Sequence, residues 1–290
     1  MILEYVVKQQ DTNKTINKIL EERFDLSNRL FSKLIKNKSI TLNNVNVDTR
    51  KKANIEDVIK IDLNYKEDNS NIISKKMDLD IVFEDDGILI LNKPAGIAVH
   101  PSILHYDDSL ANGVKYYFEI LGVQKKIRPV NRLDFNTSGL IVFAKNEYIQ
   151  ESLIRQMRNN IFKKEYIAIV NGIMDNKKGI IEAPISRKED SIIERCVSEK
   201  GQRAITEYEV IKQGKDISLI KCKLLTGRTH QIRVHMAYIG HPLLGDTLYG
   251  KESTLIKRQA LHCYKTVFLH PVNHKKIELK IDLPKEFNIV

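Results

Sequence analysis

The sequence Asn-Arg-Leu-Asp-Phe-Asn-Thr-Ser-Gly occupies residues 131–139 and leads directly into an apolar run at residues 140–144. It places one carboxylate, Asp134, close to two hydroxyl residues and a glycine, just before a predicted buried strand. A loop of this kind can hold a single acidic side chain at the mouth of a sheet, where hydroxyl and backbone groups can form hydrogen bonds. On spacing alone, the simpler interpretation is an Asx-type turn that enters the strand.

Short β-like runs alternate with helical runs on both sides of this loop. Residues 88–91 and 166–170 predict buried strands, and the first of them ends in a turn at residues 92–96. Alternation at residues 277–283 predicts a half-buried strand, and apolar residues at helical spacing between 149 and 157 predict a helix. Many strands with few helices, unevenly alternated, indicate an α+β fold rather than a doubly wound sheet.

A second candidate region, residues 227–236, has the sequence Gly-Arg-Thr-His-Gln-Ile-Arg-Val-His-Met. Thr229 is the predicted N-cap of a helix that Gly240 and Pro242 end. His230 and Arg233 share one face near the helix start, so both can point into a common pocket. His230 and His235 lie roughly 140° apart around the helix, which excludes a helical two-histidine metal site. We therefore expect no metal.

The first 64 residues predict a separate small unit. Two helices, the second capped by Ser27, precede short strands at residues 40–42, 45–47 and 58–63. Basic residues cluster in and around the helices, among them Arg29 and Lys33. A solvated basic helical face is the plain interpretation of this cluster. Residues 65–76 are polar and without sustained period, and they are the predicted linker.

The charge balance points to a polyanionic partner. The chain has 47 Lys and Arg against 37 Asp and Glu, and its formal net charge is +10. Lys and Arg gain free energy by displacing counterions from phosphates, although basic charge alone is weak support for nucleic-acid binding. No phosphate-binding glycine motif occurs, so no nucleotide cofactor is indicated.

The compartment is predicted from cysteines and hydropathy. Cys196, Cys222 and Cys263 form no C-x-x-C pair, and we expect three reduced, buried or partly buried thiols. No apolar run approaches the length of a membrane helix. The first eight residues have neither a basic leader nor an apolar core of sufficient length for a signal peptide. A cytoplasmic protein without membrane contact is expected.

Five segments together resemble the RluA family of pseudouridine synthases. Residues 131–139 resemble the family signature His-Arg-Leu-Asp-x-x-Thr-Ser-Gly, with Asn131 where His is common. The other four, in family order, are residues 92–101, the Lys-x-Tyr at 164–166, residues 227–246 and residues 258–271. The resemblance covers residues 77–287. Residues 38–43 and 57–59 are similar to the end of an S4 RNA-binding domain, an arrangement seen in many family members.

The resemblance implies a domain organisation and a fold. Residues 1–64 would form an S4-like RNA-binding domain, residues 65–76 a linker, and residues 77–290 the catalytic domain. The catalytic domain would contain a large mixed, mostly antiparallel sheet flanked by helices, within an α+β class. A monomer is expected.

The resemblance also implies residue roles in the isomerisation of uridine within RNA, a reaction without cofactor. Asp134 would be the catalytic carboxylate, Arg233 its partner, and Tyr166 the aromatic ring against a flipped uracil. Contacts to the RNA would come from the remaining candidate residues: Arg132, Thr137, Lys164, Arg228, His230, Arg29 and Lys33. Phe135 and Asn136 replace a pair that is often basic then acidic, which bears on the choice of target uridine. His262 and His270 are expected to be structural hydrogen-bonding residues.

The sequence leaves alternatives for the activity. An RNA-binding or ribosome-assembly factor could keep the fold without catalysis, although Asp134, Tyr166 and Arg233 are all present. A uracil-removing hydrolase would also flip a base and use a carboxylate, but it would release free uracil. Ribosomal RNA of the large subunit is the expected substrate, and transfer RNA stays open.

Overall fold

The computed structural model describes all 290 residues. Two helices and a four-stranded antiparallel sheet form the N-terminal unit, residues 1–64, with strand order β1-β4-β2-β3. The elements in chain order are β1 (Ile2–Val6), α1 (Ile16–Phe24), α2 (Asn28–Lys36), β2 (Ile40–Leu42), β3 (Val45–Asn46) and β4 (Val58–Asp62).

Local chemistry explains how these elements begin and turn. Ser27 caps α2 as predicted, because its side chain accepts a hydrogen bond of 3.1 Å from the backbone N–H of Leu30. Asn43 and Asn44 both adopt positive φ angles, 50° and 66°. Two such residues in succession form the tight turn whose twist matches the strands of a hairpin, here β2 and β3. All three strands predicted for this unit are confirmed. The second and the third end one residue earlier than predicted, at Asn46 and Asp62.

The larger unit contains three helices, a ten-stranded sheet and a separate strand pair. Its elements are β5 (Ile81–Glu84), β6 (Ile88–Lys93), α3 (Leu110–Ile120), β7 (Arg128–Pro129), β8 (Ser138–Ala144), α4 (Glu147–Arg158), β9 (Lys163–Asn171), β10 (Lys178–Glu182), β11 (Ile185–Arg187), β12 (Arg195–Val197), β13 (Ile205–Gln213), β14 (Ile217–Leu224), α5 (Gln231–Tyr238), β15 (Leu261–Leu269) and β16 (Lys276–Lys280).

The ten-stranded sheet has the order β10-β13-β14-β9-β15-β8-β6-β5, with β16 on β15 and β7 on β8. Only β15 and β8 run parallel, so the sheet is mixed and mostly antiparallel. The predicted α+β class and large mixed sheet are confirmed. All seven residues of β8 are buried, as expected of a central strand. The last predicted strand ends at Lys280 rather than at residue 283.

Two other expectations can be compared with the whole chain. Cys196, Cys222 and Cys263 are free thiols, the first partly buried and the other two buried, as predicted. No helix combines the length and the apolar character that crossing a membrane requires.

Residues 65–76, predicted as a linker, contain no helix or strand, but they pack against the larger unit. Glu67 and Ile72 are buried in this segment. The Lys115 ammonium group donates hydrogen bonds to the backbone carbonyls of Asn69 and Ile72, at 3.1 and 2.5 Å. The apolar core also runs without a break from the N-terminal helices into the large sheet. The two units are therefore held against one another by buried contacts.

An ionic cluster lies where the two units meet. The Glu67 carboxylate accepts two hydrogen bonds of 2.7 Å from the Arg128 guanidinium and one of 2.8 Å from Lys33 on α2. Lys33 also donates to Glu147 on α4 at 2.8 Å. Burial by itself would raise the pKa of Glu67, but the hydrogen bonds from Arg128 and Lys33 lower it to about 2. The cluster thus joins α2 to the larger unit through paired charges.

We expect Glu67→Gln to lower the free energy of unfolding by about 3 kcal/mol at pH 7, because it leaves the buried Arg128 guanidinium without its carboxylate. The pKa of an unfolded glutamate is about 4.3, so the contribution of Glu67 is fully present above that pH and is lost as pH falls toward 2. Urea unfolding at several pH values measures the effect. Glu4→Gln, in an exposed pair with Lys60, is the control and should change little. Equal losses in the two variants would contradict the prediction.

Candidate active site

A cavity of about 270 Å³ opens at the edge where the loop before β8 faces the start of α5. Strand β9 contributes its wall, and β15 separates β9 from β8 in the sheet. Eight of the ten predicted site residues line this cavity: Arg132, Asp134, Thr137, Lys164, Tyr166, Arg228, His230 and Arg233. Segments that are far apart in the sequence are therefore brought to one cavity.

Asp134 is the partly exposed carboxylate of the cavity, and Arg233 is its cationic neighbour. The Nη1 group of Arg233 donates a hydrogen bond of 3.2 Å to Oδ2 of Asp134. The other side of the same guanidinium donates to the two carboxylate oxygens of Asp246, at 2.7 and 2.8 Å. Asp246 is fully buried and also accepts from the backbone N–H groups of Leu248 and Tyr249. Asp246 thus fixes the orientation in which Arg233 meets Asp134.

The charge state of Arg233 follows from these contacts. Burial would lower its pKa, but the hydrogen bonds and charge of Asp246, together with Asp134, raise the pKa above its ordinary value. The Tyr249 ring lies against the guanidinium, with its centroid 5.0 Å from Cζ. A permanent cation is therefore held beside the Asp134 carboxylate in a part of the cavity that is shielded from water.

His230 occupies the N-cap position of α5, so the predicted cap at Thr229 was wrong by one residue. His230 adopts a left-handed conformation with φ of 58°, and the helix begins at Gln231. No side chain caps the helix, and the Gln231 side chain instead holds the loop that precedes it: its Oε1 accepts from the Thr226 hydroxyl and from the Arg228 N–H, at 2.8 and 2.9 Å. Sequence patterns do not show which residue of a loop turns left-handed, because any of several polar residues can do so.

The His230 imidazole lies between Asp134 and Tyr249. Its Nε2 is 3.8 Å from the Asp134 carboxylate, and its Nδ1 is 2.8 Å from the Tyr249 hydroxyl. Burial lowers the pKa of His230, and the Arg233 charge adds to this effect, while the Asp134 carboxylate opposes it. The imidazole is consequently neutral at pH 7, and Arg233 is the principal counter-charge of Asp134.

Tyr166 and Lys164 lie on the same face of β9, two residues apart. The phenol of Tyr166 is almost completely buried, and burial, with the neighbouring Cys263, raises its pKa well above the ordinary value. Tyr166 therefore stays protonated at neutral pH and presents an apolar ring with one hydroxyl donor to the cavity. Burial also lowers the pKa of Lys164.

The loop that carries Asp134 is held from behind by a buried lysine. Lys93 is completely buried, and its ammonium group donates to the backbone carbonyls of Pro94, Ile97 and Phe135, at 2.8, 2.8 and 2.9 Å. Burial, with the Arg258 charge as a second cause, lowers the pKa of Lys93 to about 7, while Asp134 opposes the shift. Because Phe135 follows Asp134 directly, this contact fixes the backbone at the carboxylate.

The other end of the loop is held by Arg258 and by a close strand crossing. Arg258 donates to the carbonyl of Asn136 at 3.0 Å and to the Ser138 hydroxyl at 3.1 Å. Gly139 has a φ of 115°, and a Cβ atom there would lie 2.3 Å from the carbonyl oxygen of Cys263 on β15. Only glycine allows β8 to pass so close to β15.

The turn at Asp134 is a backbone turn and not the predicted Asx-type turn, because the Asp134 carboxylate accepts from Arg233 rather than from a backbone N–H group. The backbone N–H of Thr137 donates to the carbonyl of Asp134 at 3.0 Å and so closes a turn. Thr137 itself is buried, and its hydroxyl accepts from Gln259 at 3.3 Å. Ser138 and His262 form a hydrogen bond of 2.8 Å, and His270 lies 3.1 Å from Asp85, in agreement with structural roles for both histidines.

Arg29 and Lys33 do not belong to this cavity. The partly exposed Lys33 side chain is paired with the carboxylates of Glu67 and Glu147, so its charge is less available to RNA than the sequence alone suggests. Arg29 is exposed and lies 3.5 Å from Glu147. Helical spacing alone could not show that these two cations have carboxylate neighbours, because the carboxylates belong to distant segments of the chain.

The sequence interpretation missed two residues of the site, Asp246 and Lys93. Both lie inside the motifs quoted above, but neither was assigned a role there. The available signal was weak: Lys93 ends strand β6 after four apolar residues and Asn92, and Asp246 follows a glycine with positive φ. Their partners are remote in sequence, so only the tertiary structure shows what they hold.

We expect Lys93→Met to lower the free energy of unfolding by about 3 kcal/mol at pH 7, because the carbonyls of Pro94, Ile97 and Phe135 all lose the Lys93 ammonium donor. The pKa of lysine in an unfolded chain is about 10.4, and burial lowers it in the folded protein. The wild type therefore gains stability relative to the variant as pH rises from about 7 to 10, by at most about 1.4 kcal/mol per pH unit.

Urea unfolding of wild type and Lys93→Met at pH 7, 8.5 and 10 measures this difference. Lys215→Met serves as the control, since Lys215 is exposed on the turn between β13 and β14. A stability difference that stays constant between pH 7 and 10 would show that Lys93 does not titrate in this range.

The sequence and the fold of this chain are both similar to those of known proteins. The family model described as RNA pseudouridylate synthase matches residues 87–238. The uncharacterized RNA pseudouridine synthase YhcT of Bacillus subtilis is 38% identical over 286 residues, 98% of this chain and 94% of that protein. The ribosomal large subunit pseudouridine synthase D of Vibrio cholerae is 33% identical over 300 residues, which are 98% of this chain and 92% of that protein. The structure of human RNA pseudouridylate synthase domain containing 1 is similar with a TM-score of 0.60 and 27% identity, over 71% of this chain and 84% of that one.

Proposed function

The chain belongs to the RNA pseudouridylate synthase family, as an RluA-type member, and is an isomerase that acts on RNA; from this premise we propose that Asp134 is its catalytic carboxylate and that the target uridine is flipped into the cavity. One observation carries the proposal. The Asp134 carboxylate lies in a cavity and accepts its one side-chain hydrogen bond from the guanidinium of Arg233, which buried Asp246 holds in place. Tyr166 lies in the wall of the same cavity.

The chemistry conserves atoms within the RNA apart from one exchanged proton. The bond between ribose C1′ and uracil N1 breaks, the base rotates, and C1′ bonds to C5. The hydrogen on C5 leaves to solvent, and N1 takes up a proton. The Asp134 carboxylate either adds to C1′ or removes a proton to form a glycal, and both routes require the anion. The Arg233 guanidinium lies beside this carboxylate, with a hydrogen bond of 3.2 Å.

The depth and lining of the site support the proposed base flipping. A duplex or stacked strand cannot bring ribose C1′ to a carboxylate inside a cavity, so the nucleotide must leave the stack. A volume of about 270 Å³ is near the lower limit of small-molecule sites, which suits one nucleobase better than an extended ligand. The Tyr166 ring offers a stacking surface, and Arg132 is exposed at the rim, where it can hold the RNA once the base has left.

For the N-terminal unit we propose an S4-like RNA-binding domain at residues 1–64, ahead of a catalytic domain at residues 77–290. Two helices on a small antiparallel sheet and the exposed cations of α2 support it. Lys36 and Lys38 are exposed and form no ion pair, so they are better candidates for RNA contacts than Lys33. Action as a monomer in the cytoplasm stays a prediction from the sequence.

Large-subunit ribosomal RNA is the proposed substrate, with transfer RNA as the second candidate. The relative from Vibrio cholerae bears the name of a large-subunit ribosomal RNA enzyme, and it matches this chain over nearly its whole length. The basic charge of the chain suits either RNA.

Tritium release from RNA labelled at uracil C5 tests the proposal. Unmodified large-subunit ribosomal RNA and transfer RNA are incubated separately with the protein, and the released tritium is counted. We expect release from the ribosomal RNA with no change in RNA mass apart from the isotope. Free uracil and abasic RNA would indicate a hydrolase instead. Tight, salt-sensitive binding of both RNAs without release would indicate a binding factor that lacks catalysis.

A further inference from the structure

Strands β11 and β12 carry two arginines directly opposite one another. Their register pairs Arg187 with Arg195, so both side chains point to the same face of the two-stranded ribbon. Like charges in this position destabilise a strand pair unless a counter-charge lies between them. Neither arginine has a carboxylate oxygen within 4.0 Å; Arg195 instead donates to the backbone carbonyls of Ile193 and Glu194. The fold therefore places two unneutralised cations together.

These two arginines line a cavity of about 420 Å³ with two further cations, Lys200 and Arg228. None of the four forms an ion pair with the protein. The carboxylates of this region are engaged elsewhere, Glu194 with Lys188 and Glu182 with Arg203, and Glu199 is not part of the cavity lining. Arg195 and Arg228 donate only to neutral acceptors, the latter to the Arg203 carbonyl and the Gln202 side chain, at 3.0 and 2.8 Å. Four cations without a carboxylate partner make this cavity suited to an anion. Guanidinium groups bind phosphate oxygens with two parallel hydrogen bonds, which favours a phosphate over an uncharged ligand.

The cationic cavity adjoins the active site. The segment Gly227-Arg228-Thr229 lines both cavities. The backbone N–H of Arg195 donates to the Tyr249 hydroxyl at 2.8 Å, and the same hydroxyl contacts His230 beside Asp134. Ile185 of β11 packs with Val234 of α5 in one buried cluster, and α5 also carries Arg233. The ribbon is thus held rigidly next to the site of chemistry.

We propose that this cavity binds a phosphodiester group of the substrate RNA, on the strand that flanks the flipped uridine. The inference rests on the proposed function, since it takes the nucleotide in the neighbouring cavity as part of an RNA chain. Contacts to phosphate carry no base information, so the cavity fixes the register of the strand and leaves the choice of uridine to other contacts.

The test compares two double variants that remove the same charge. Arg187→Ala/Lys200→Ala removes two exposed cations of the cavity, and Lys215→Ala/Lys275→Ala removes two exposed, unpaired lysines elsewhere. With single-stranded RNA that contains the target uridine, we expect the cavity variant to raise KM and Kd about tenfold or more near physiological salt, with little change in kcat. The slope of log Kd against log salt should fall by about 0.7, since one phosphate contact on a single strand contributes about that much. The control should keep the wild-type values.

Two results would overturn the inference. One is a KM, Kd and salt slope that match the control variant. The other is a melting temperature of the RNA-free cavity variant clearly below that of the control, because removing one of two opposed arginines should relieve repulsion rather than weaken the fold. RNA binding is measured independently of tritium release, so the phosphate site can be judged even if the wild type proves inactive and the proposed function fails.

Discussion

Asp134→Asn should reduce tritium release from the substrate RNA by at least about 1,000-fold, with RNA binding unchanged or slightly tighter. The amide has almost the same shape as the carboxylate but can neither add to C1′ nor accept a proton effectively. Binding should be kept because the substitution removes a negative charge that repels phosphates. Single-turnover release at saturating enzyme measures the chemical step, and filter binding measures affinity.

The fold should tolerate this change. Asp134 is partly exposed, and Arg233 keeps both of its hydrogen bonds to Asp246, so the melting temperature should shift little. Asp108→Asn is a suitable control, because Asp108 is an exposed acid on another loop. Retention of more than about one tenth of wild-type release by the Asp134 variant would show that another group performs the chemistry.

Arg233→Lys should reduce both stability and catalysis, which sets it apart from the Asp134 variant. A lysine cannot reach two carboxylates in the forked geometry of a guanidinium, so buried Asp246 loses a bidentate partner. We expect the free energy of unfolding to fall by about 3 kcal/mol and kcat to fall by about 100-fold. Urea unfolding and single-turnover release measure the two effects.

Asp246→Asn separates positioning from direct participation. The amide stays within contact of Arg233, so Arg233 remains present but is less firmly oriented toward Asp134. We expect kcat to fall about tenfold while KM stays near the wild-type value, and Asp246→Glu should recover less than half of the loss because its longer side chain misplaces the fork. A change confined to the melting temperature, with normal kcat, would leave Asp246 a purely structural residue.

Particular elements show how far the sequence could lead. Residues 131–139 predicted the loop that presents Asp134, and residues 140–144 predicted the buried strand β8, because composition and turn chemistry are local. The helix α5 was predicted with its apolar face, yet its cap was misplaced from His230 to Thr229. Lys33 was assigned to RNA because a helical pattern shows that a residue is basic and accessible on one face. It cannot show that Glu67 and Glu147 approach from other segments.

The sequence by itself determined the α+β class, seven of the sixteen strands, the family resemblance and the set of residue types that the chemistry needs. These depend on periodicity, turn residues and motif order, all of which act over short stretches of chain. Only the tertiary structure decided which of those residues meet. Asp134 and Arg233 are 99 positions apart, and Lys93 and Phe135 are 42 apart. Such contacts form when distant strands and helices pack together and exclude water. The free energy of a buried charge then depends on whether an opposite charge or a hydrogen-bonding partner lies beside it.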